Sequence, residues 1–133
     1  MPQQRTAHVL LVEDNPVNQK LAGTLLERLG LTFDLAENGR QALEAATAKT
    51  YALILMDMLM PEMDGLEATR LIRAGDGPNA DTWIIALTAN AMQSDQDACR
   101  EAGMNDFLSK PFNREALTSV IDRGLTNLSK ANA

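Results

Sequence analysis

Apolar and polar positions alternate along this chain in blocks. Three blocks are apolar nearly throughout: Val9-Leu10-Leu11-Val12 after His8, Ala52-Leu53-Ile54-Leu55-Met56, and Trp83-Ile84-Ile85-Ala86-Leu87. None shows a 3.6-residue spacing, so each suits a strand buried on both faces of a parallel sheet. Two shorter segments, Leu31 to Ala36 and Asp106 to Ser109, read as further strands. Between the strands lie amphipathic stretches with helix-start signals. Asn15 reads as an N-cap with Pro16 at the first helical position, and Val17, Leu21, Leu25 and Leu29 recur every four residues up to Gly30. Asn38 with Gln41 forms a capping box for a helix from Gly39 to about Lys49. Asp64 with Glu67 starts a third helix, running through Leu66, Ile72 and Arg73. A loop at residues 75–79 follows. Ala91 to Ala102 is a polar helix ending at Gly103, and Asn113 caps a last helix with Leu117, Val120 and Ile121 on its apolar face.

A βα unit thus repeats five times. Right-handed crossovers turn that order into an α/β fold: a doubly wound, five-stranded parallel sheet with helices on both faces. The flavodoxin-like strand order 2-1-3-4-5 sets strands one and three side by side at the switch point, where ligands bind outside the carboxyl ends of the strands. The expected domain spans residues 8–125, with a linker or tail at 1–7 and a polar tail at 126–133.

Composition narrows the class. The 133 residues make one domain with room for a core, and the apolar fraction of 45% and charged fraction of 23% are ordinary for a soluble protein. No apolar run is long enough to span a bilayer, and no secretory signal precedes His8, itself read as a surface residue at a strand end. The lone Cys99 excludes an internal disulfide and fits a reducing cytoplasm. A net charge of −6 without a basic cluster argues against nucleic-acid binding.

The candidate chemistry sits where the strands end. Glu13 and Asp14 close strand one, Asp57 closes strand three, Thr88 closes strand four and Lys110 closes strand five. The fold would gather all five at one sheet edge. Carboxylates there repel, by about 4 kcal/mol for a pair at 4 Å and an effective dielectric of 20. A hard divalent cation would offset this, Mg²⁺ above all, with Mn²⁺ able to replace it. With a carboxylate nucleophile, a cation, an ammonium and a hydroxyl, the set matches a phosphoryl-transfer site. There is no Gly-rich phosphate loop and His8 is the only histidine, so the donor must bring its own activated phosphoryl group.

LLVEDNPVNQKLA, LILMDMLMPEMDGLEATRLIR, IIALTANAM and GMNDFLSKPF together resemble the motifs of a two-component response-regulator receiver domain, from Val9 to Leu125. Their wording, notably VEDNPVNQ, MPEMDG and LTANAM, is most like the receivers of hybrid sensor histidine kinases. The resemblance implies that Asp57 is the phosphoacceptor and Asp14 a direct metal ligand. It also implies that Glu13 acts through a metal-bound water and that the main-chain carbonyl of Leu59 completes the metal shell. Thr88 and Lys110 would contact the phosphoryl group, Phe107 would be the switch aromatic that follows Thr88, and the Lys110-Pro111 bond would be cis. The implied partner is a histidine kinase or a histidine phosphotransfer domain, with no contact to nucleic acid or membrane by this domain and a weak dimer allowed on phosphorylation. The implied setting is the cytoplasm, on a parent kinase that could itself be membrane-anchored. The surface of helix four, strand five and helix five would change on phosphorylation. One departure stands out: Thr82-Trp83 occupies the place of the family's proline before strand four.

Other classes fit less well. An aspartyl-phosphate phosphatase would carry a second Asp two residues after the nucleophile, where this chain has Leu59. A flavin carrier would need a phosphate loop where Glu13-Asp14 would repel it. The expectation is therefore a signalling module that catalyses only its own phosphorylation and dephosphorylation. It is either a stand-alone regulator or part of a hybrid kinase.

Overall fold

The computed structural model describes residues 8–58, 65–75, 77, 82–88, 93–109 and 113–131. Five βα units follow one another: β1 His8–Val12, α1 Pro16–Arg28, β2 Thr32–Ala36, α2 Gly39–Ala48, β3 Leu53–Asp57, α3 Gly65–Ala74, β4 Trp83–Thr88, α4 Gln93–Ala102, β5 Asp106–Ser109 and α5 Arg114–Ala131. The strands are parallel in the order β2-β1-β3-β4-β5. The expected architecture is the one observed.

The pleat divides the core in two. Val9, Leu11, Leu53, Leu55, Ile85 and Leu87 point to one face, where Leu25 and Leu26 of α1 and Leu117, Val120 and Ile121 of α5 cover them. Leu10, Val12, Ile54, Met56, Ile84 and Ala86 point to the other, under Ala42 of α2, Ala68 and Ile72 of α3, and Cys99 of α4. A strand covered on both faces has no position left for a polar residue until it ends.

Helix ends follow their sequence signals. The Asn15 side chain accepts from the amides of Val17 and Asn18, and that of Asn38 accepts from Gln41. Gly30, at φ 82°, closes α1 with amide bonds from Gly30 to Glu27 and from Leu31 to Leu26, the Schellman pattern that favours glycine. One reading needs correcting. The four-residue stripe on α1 does not face inward as a whole: Val17 is 74% exposed and Leu21 40%, while Ala22, Leu25 and Leu26 are buried. A four-residue step overshoots the helical turn by about 40°, so the stripe drifts round the helix. α5 also continues to Ala131, past Leu125, so that residues 126–131 of the polar tail are helical. Residues 126–131 hold neither Gly nor Pro, and a helix needs an apolar face to dock, not to continue.

Trp83 lies against α5 at Gly124. A Cβ on Gly124 would sit 2.9 Å from Trp83 Cδ1 and 2.4 Å from Leu53 Cδ2, so the glycine makes room for the ring. At the same end of the sheet His8 is not a bare surface residue. Its Nδ1 lies 2.6 Å from Thr32 Oγ1, its Nε2 lies 3.1 Å from Asp34 Oδ2, and its ring stacks on Tyr51. Lys49 Nζ at 2.9 Å and Tyr51 Oη at 2.8 Å donate to the same Asp34 oxygen. These donors, Lys49 foremost, hold the Asp34 carboxyl far below the usual carboxylate range. Burial, and then Asp34, push the Tyr51 phenol well above its usual value. Among the described residues no helix is long and apolar enough to cross a membrane.

Candidate functional site

The site is built where β1 and β3 stop. Past Val12 the chain keeps one more ladder bond, from the Glu13 amide to the Ala36 carbonyl at 3.0 Å. Glu13 is 1% exposed. Its Oε2 accepts from the Asn15 amide at 3.2 Å, and its carbonyl accepts from Gln19 Nε2 at 2.7 Å. The helix cap and the first turn of α1 thus orient the buried acid. Asp14, between Glu13 and the cap, is exposed.

Asp57 is the last residue of β3 and is 3% exposed. The Met58 amide donates to the Leu87 carbonyl at 3.0 Å, which carries the β3–β4 pairing one residue past the acid. The Gly65 amide then returns to the Met58 carbonyl at 3.2 Å. Gly65 packs so closely that a Cβ there would stand 2.2 Å from the Asp57 carbonyl oxygen. The structural role of Gly65 is a close approach of α3 to the backbone that carries Asp57.

One carboxylate oxygen from each of Glu13, Asp14 and Asp57 lies within 4.8 Å of the other two. If all three are ionised, each pair costs about 3–4 kcal/mol at an effective dielectric of 20. The cluster offers oxygen donors only, which is the preference of a hard cation such as Mg²⁺ rather than of Zn²⁺ or copper.

Thr88 ends β4 and is 6% exposed. It sits one residue past Leu87, the register partner of Asp57. Phe107 is half-buried on β5, opposite Ala86, and packs on the core layer that holds Cys99 and Met58. The Leu59 carbonyl, Lys110 and the Lys110-Pro111 bond lie outside the described residues.

Two contacts at this end escape sequence reasoning. Cys99 of α4 meets Met58 Sδ at 3.4 Å, and the Arg100 guanidinium lies 5.4 Å from the centre of the Phe107 ring. The first joins residues 41 apart in the chain and the second joins a helix to the strand that follows it, so no pattern within one element announces them.

The family model of the response regulator receiver domain matches residues 9–122. The chain belongs to this family. Among its curated relatives is the hybrid signal transduction histidine kinase B of Dictyostelium discoideum, 45% identical over 119 residues, which are 82% of this chain and 6% of that protein. The chain spans between 6% and 18% of the length of the first such relatives. Among solved structures, the receiver domain of sensor histidine kinase PA1611 from Pseudomonas aeruginosa is 45% identical, with a TM-score of 0.84 over 91% of this chain and 98% of that one. That receiver was crystallised with magnesium coordinated in its active-site cleft. A co-crystal of the Saccharomyces cerevisiae phosphotransfer protein Ypd1 with the receiver of Ssk1 matches at a TM-score of 0.80 and 32% identity, covering 90% of this chain and 89% of that one. By its family the chain is a receiver domain of the two-component phosphorelay class.

Proposed function

We propose that this receiver accepts a phosphoryl group on Asp57 from a phosphohistidine of a partner. In that step the P–N bond breaks and a P–O bond forms to a carboxylate oxygen of Asp57, while the leaving imidazole takes up a proton. The observation that carries the reading is the meeting of three carboxylates within 4.8 Å at the ends of β1 and β3. Asp14 and Asp57 would hold a divalent cation directly, Glu13 through a water, and the Leu59 carbonyl would complete the shell. Bound there, Mg²⁺ neutralises charge on the phosphoryl oxygens. Thr88 donates its hydroxyl to a phosphoryl oxygen, and Lys110 brings an ammonium to another. Phe107 follows Thr88, and the surface of α4, β5 and α5 changes its affinity for partners.

The partner we infer is a histidine phosphotransfer domain or a histidine kinase, as in the Ypd1 co-crystal. Val17 and Leu21, exposed on α1 one to two turns from Asp14, give such a partner an apolar foothold beside the site. Likeness to hybrid kinases supports a parent of that kind.

The test is direct. Protein incubated with Mg²⁺ and acetyl phosphate, or with a phosphorylated phosphotransfer domain, should gain one phosphoryl group that hydroxylamine removes. Asp57→Asn should gain none. Equal labelling of the two proteins would rule out Asp57 as the acceptor.

A further inference from the structure

Two consecutive residues of α4 touch, in turn, the residue after Asp57 and the proposed switch aromatic. Cys99 is 1% exposed and sets its thiol against Met58, the residue after Asp57. Arg100 is next along the helix and lays its guanidinium over the Phe107 ring, 5.4 Å from its centre. Neighbouring helix positions point about 100° apart, so the seating of Cys99 against the end of β3 sets the direction in which Arg100 leaves α4. Among the described residues Arg100 also meets Asp97, one turn back at 3.8 Å, with both side chains more than half exposed. Such a pair constrains a side chain little. The face of an aromatic ring is electron-rich and attracts a guanidinium set over it. Phe107 is therefore held from two sides: the core layer under it and a cation above it.

We propose that Arg100 is a positioning residue for Phe107, pinning the ring in the seat seen here and so biasing the receiver toward its unphosphorylated state. The inference rests on Asp57 as the acceptor and Phe107 as the switch. A ligand that binds only the switched state is weakened by whatever stabilises the resting one, and by the same factor. For a cation–π contact at a partly exposed rim that factor is about two- to five-fold.

The experiment is a beryllofluoride titration in saturating Mg²⁺, read by ¹⁹F NMR of the bound fluorides. Arg100→Gln should bind about two- to five-fold tighter than the natural receiver. Arg100→Lys keeps a cation and should return the Kd toward the natural value. In a Phe107→Leu background, Arg100→Gln should change nothing, because the ring it acts through is gone. Unchanged or weaker binding by Arg100→Gln would overturn the proposal, and so would the same gain in the Phe107→Leu background. A natural receiver that bound no beryllofluoride would instead overturn the acceptor reading, and this inference with it. Circular-dichroism melts of all four variants separate a folding defect from a shifted switch.

Discussion

Replacing Gly65 by alanine tests how closely the backbone must hold Asp57. The new Cβ would stand 2.2 Å from the Asp57 carbonyl oxygen and 3.0 Å from both the Asp57 carbonyl carbon and Met56 Cγ. The first contact is with main chain, which cannot swing away as a side-chain tip can. Relief needs α3 or the end of β3 to move by roughly 1 Å, and overpacking of this kind costs about 1–3 kcal/mol. For a domain of this size that is a fall in Tm of roughly 3–15 °C. The larger effect belongs at the site, because a misplacement of about 1 Å between reacting groups costs on the order of 10²-fold in rate. Gly124→Ala is the matched control. Its Cβ would stand 2.4 Å from Leu53 Cδ2 and 2.9 Å from Trp83 Cδ1, an overlap with side chains at the far end of the sheet. Both variants should melt earlier. Only Gly65→Ala should lose about two orders of magnitude in the initial rate of labelling by acetyl phosphate in Mg²⁺, measured well below its Tm. A labelling rate within two-fold of the natural protein would refute the claim that this contact sets the position of Asp57.

Removing one acid from the cluster should have opposite effects with and without metal. Asp14→Asn should raise the Tm in EDTA by roughly 2–5 °C, because repulsion is relieved, yet need at least about tenfold more Mg²⁺ for half-maximal labelling; equal Mg²⁺ demand would count against Asp14 as a ligand. Asp34 carries an acid-sensitive contribution to stability. Its folded pKa lies below the unfolded value, so that contribution is complete above about pH 4 and is lost as the pH falls further. Asp34→Asn should therefore flatten the decline of Tm between pH 5 and pH 2, and an unchanged slope would remove Asp34 from the account. Val17→Asp, on the exposed face of α1, should slow transfer from a phosphotransfer domain about tenfold or more while leaving labelling by acetyl phosphate unchanged. Equal loss with both donors would mean damage to the site rather than to docking.

Much of this fold was legible because a parallel strand covered on both faces must be apolar to its last residue. The first charge after Val12, and Asp57 after Met56, then marks a strand end, and strand ends in this topology share one edge. The caps at Asn15 and Asn38 were legible for a similar reason: each satisfies amides within three residues of itself. What was not legible depends on how separate elements pack on one another. Gly65 looks like any turn glycine until α3 is docked on β3. His8 looks solvated until Asp34 and Tyr51 arrive from β2 and from the loop before β3. The orientation of the α1 stripe depended on where the helix settled on the sheet, which places Val17 and Leu21 outward. Arg100 reads as one more charge on a polar helix, and only the packing of α4 beside β5 sets it over a ring.

The indole in the slot at Gly124 has a practical consequence. It is the protein's single tryptophan, and β4 separates it from Thr88 by roughly 16 Å of extended chain. Its emission should register loss of the α5 seat and stay silent to chemistry at the acidic end. Intrinsic fluorescence can therefore run alongside every labelling assay as a built-in gauge of intactness, so that a dim phosphorylation signal from a bright, blue-shifted protein points to a defect of the site alone.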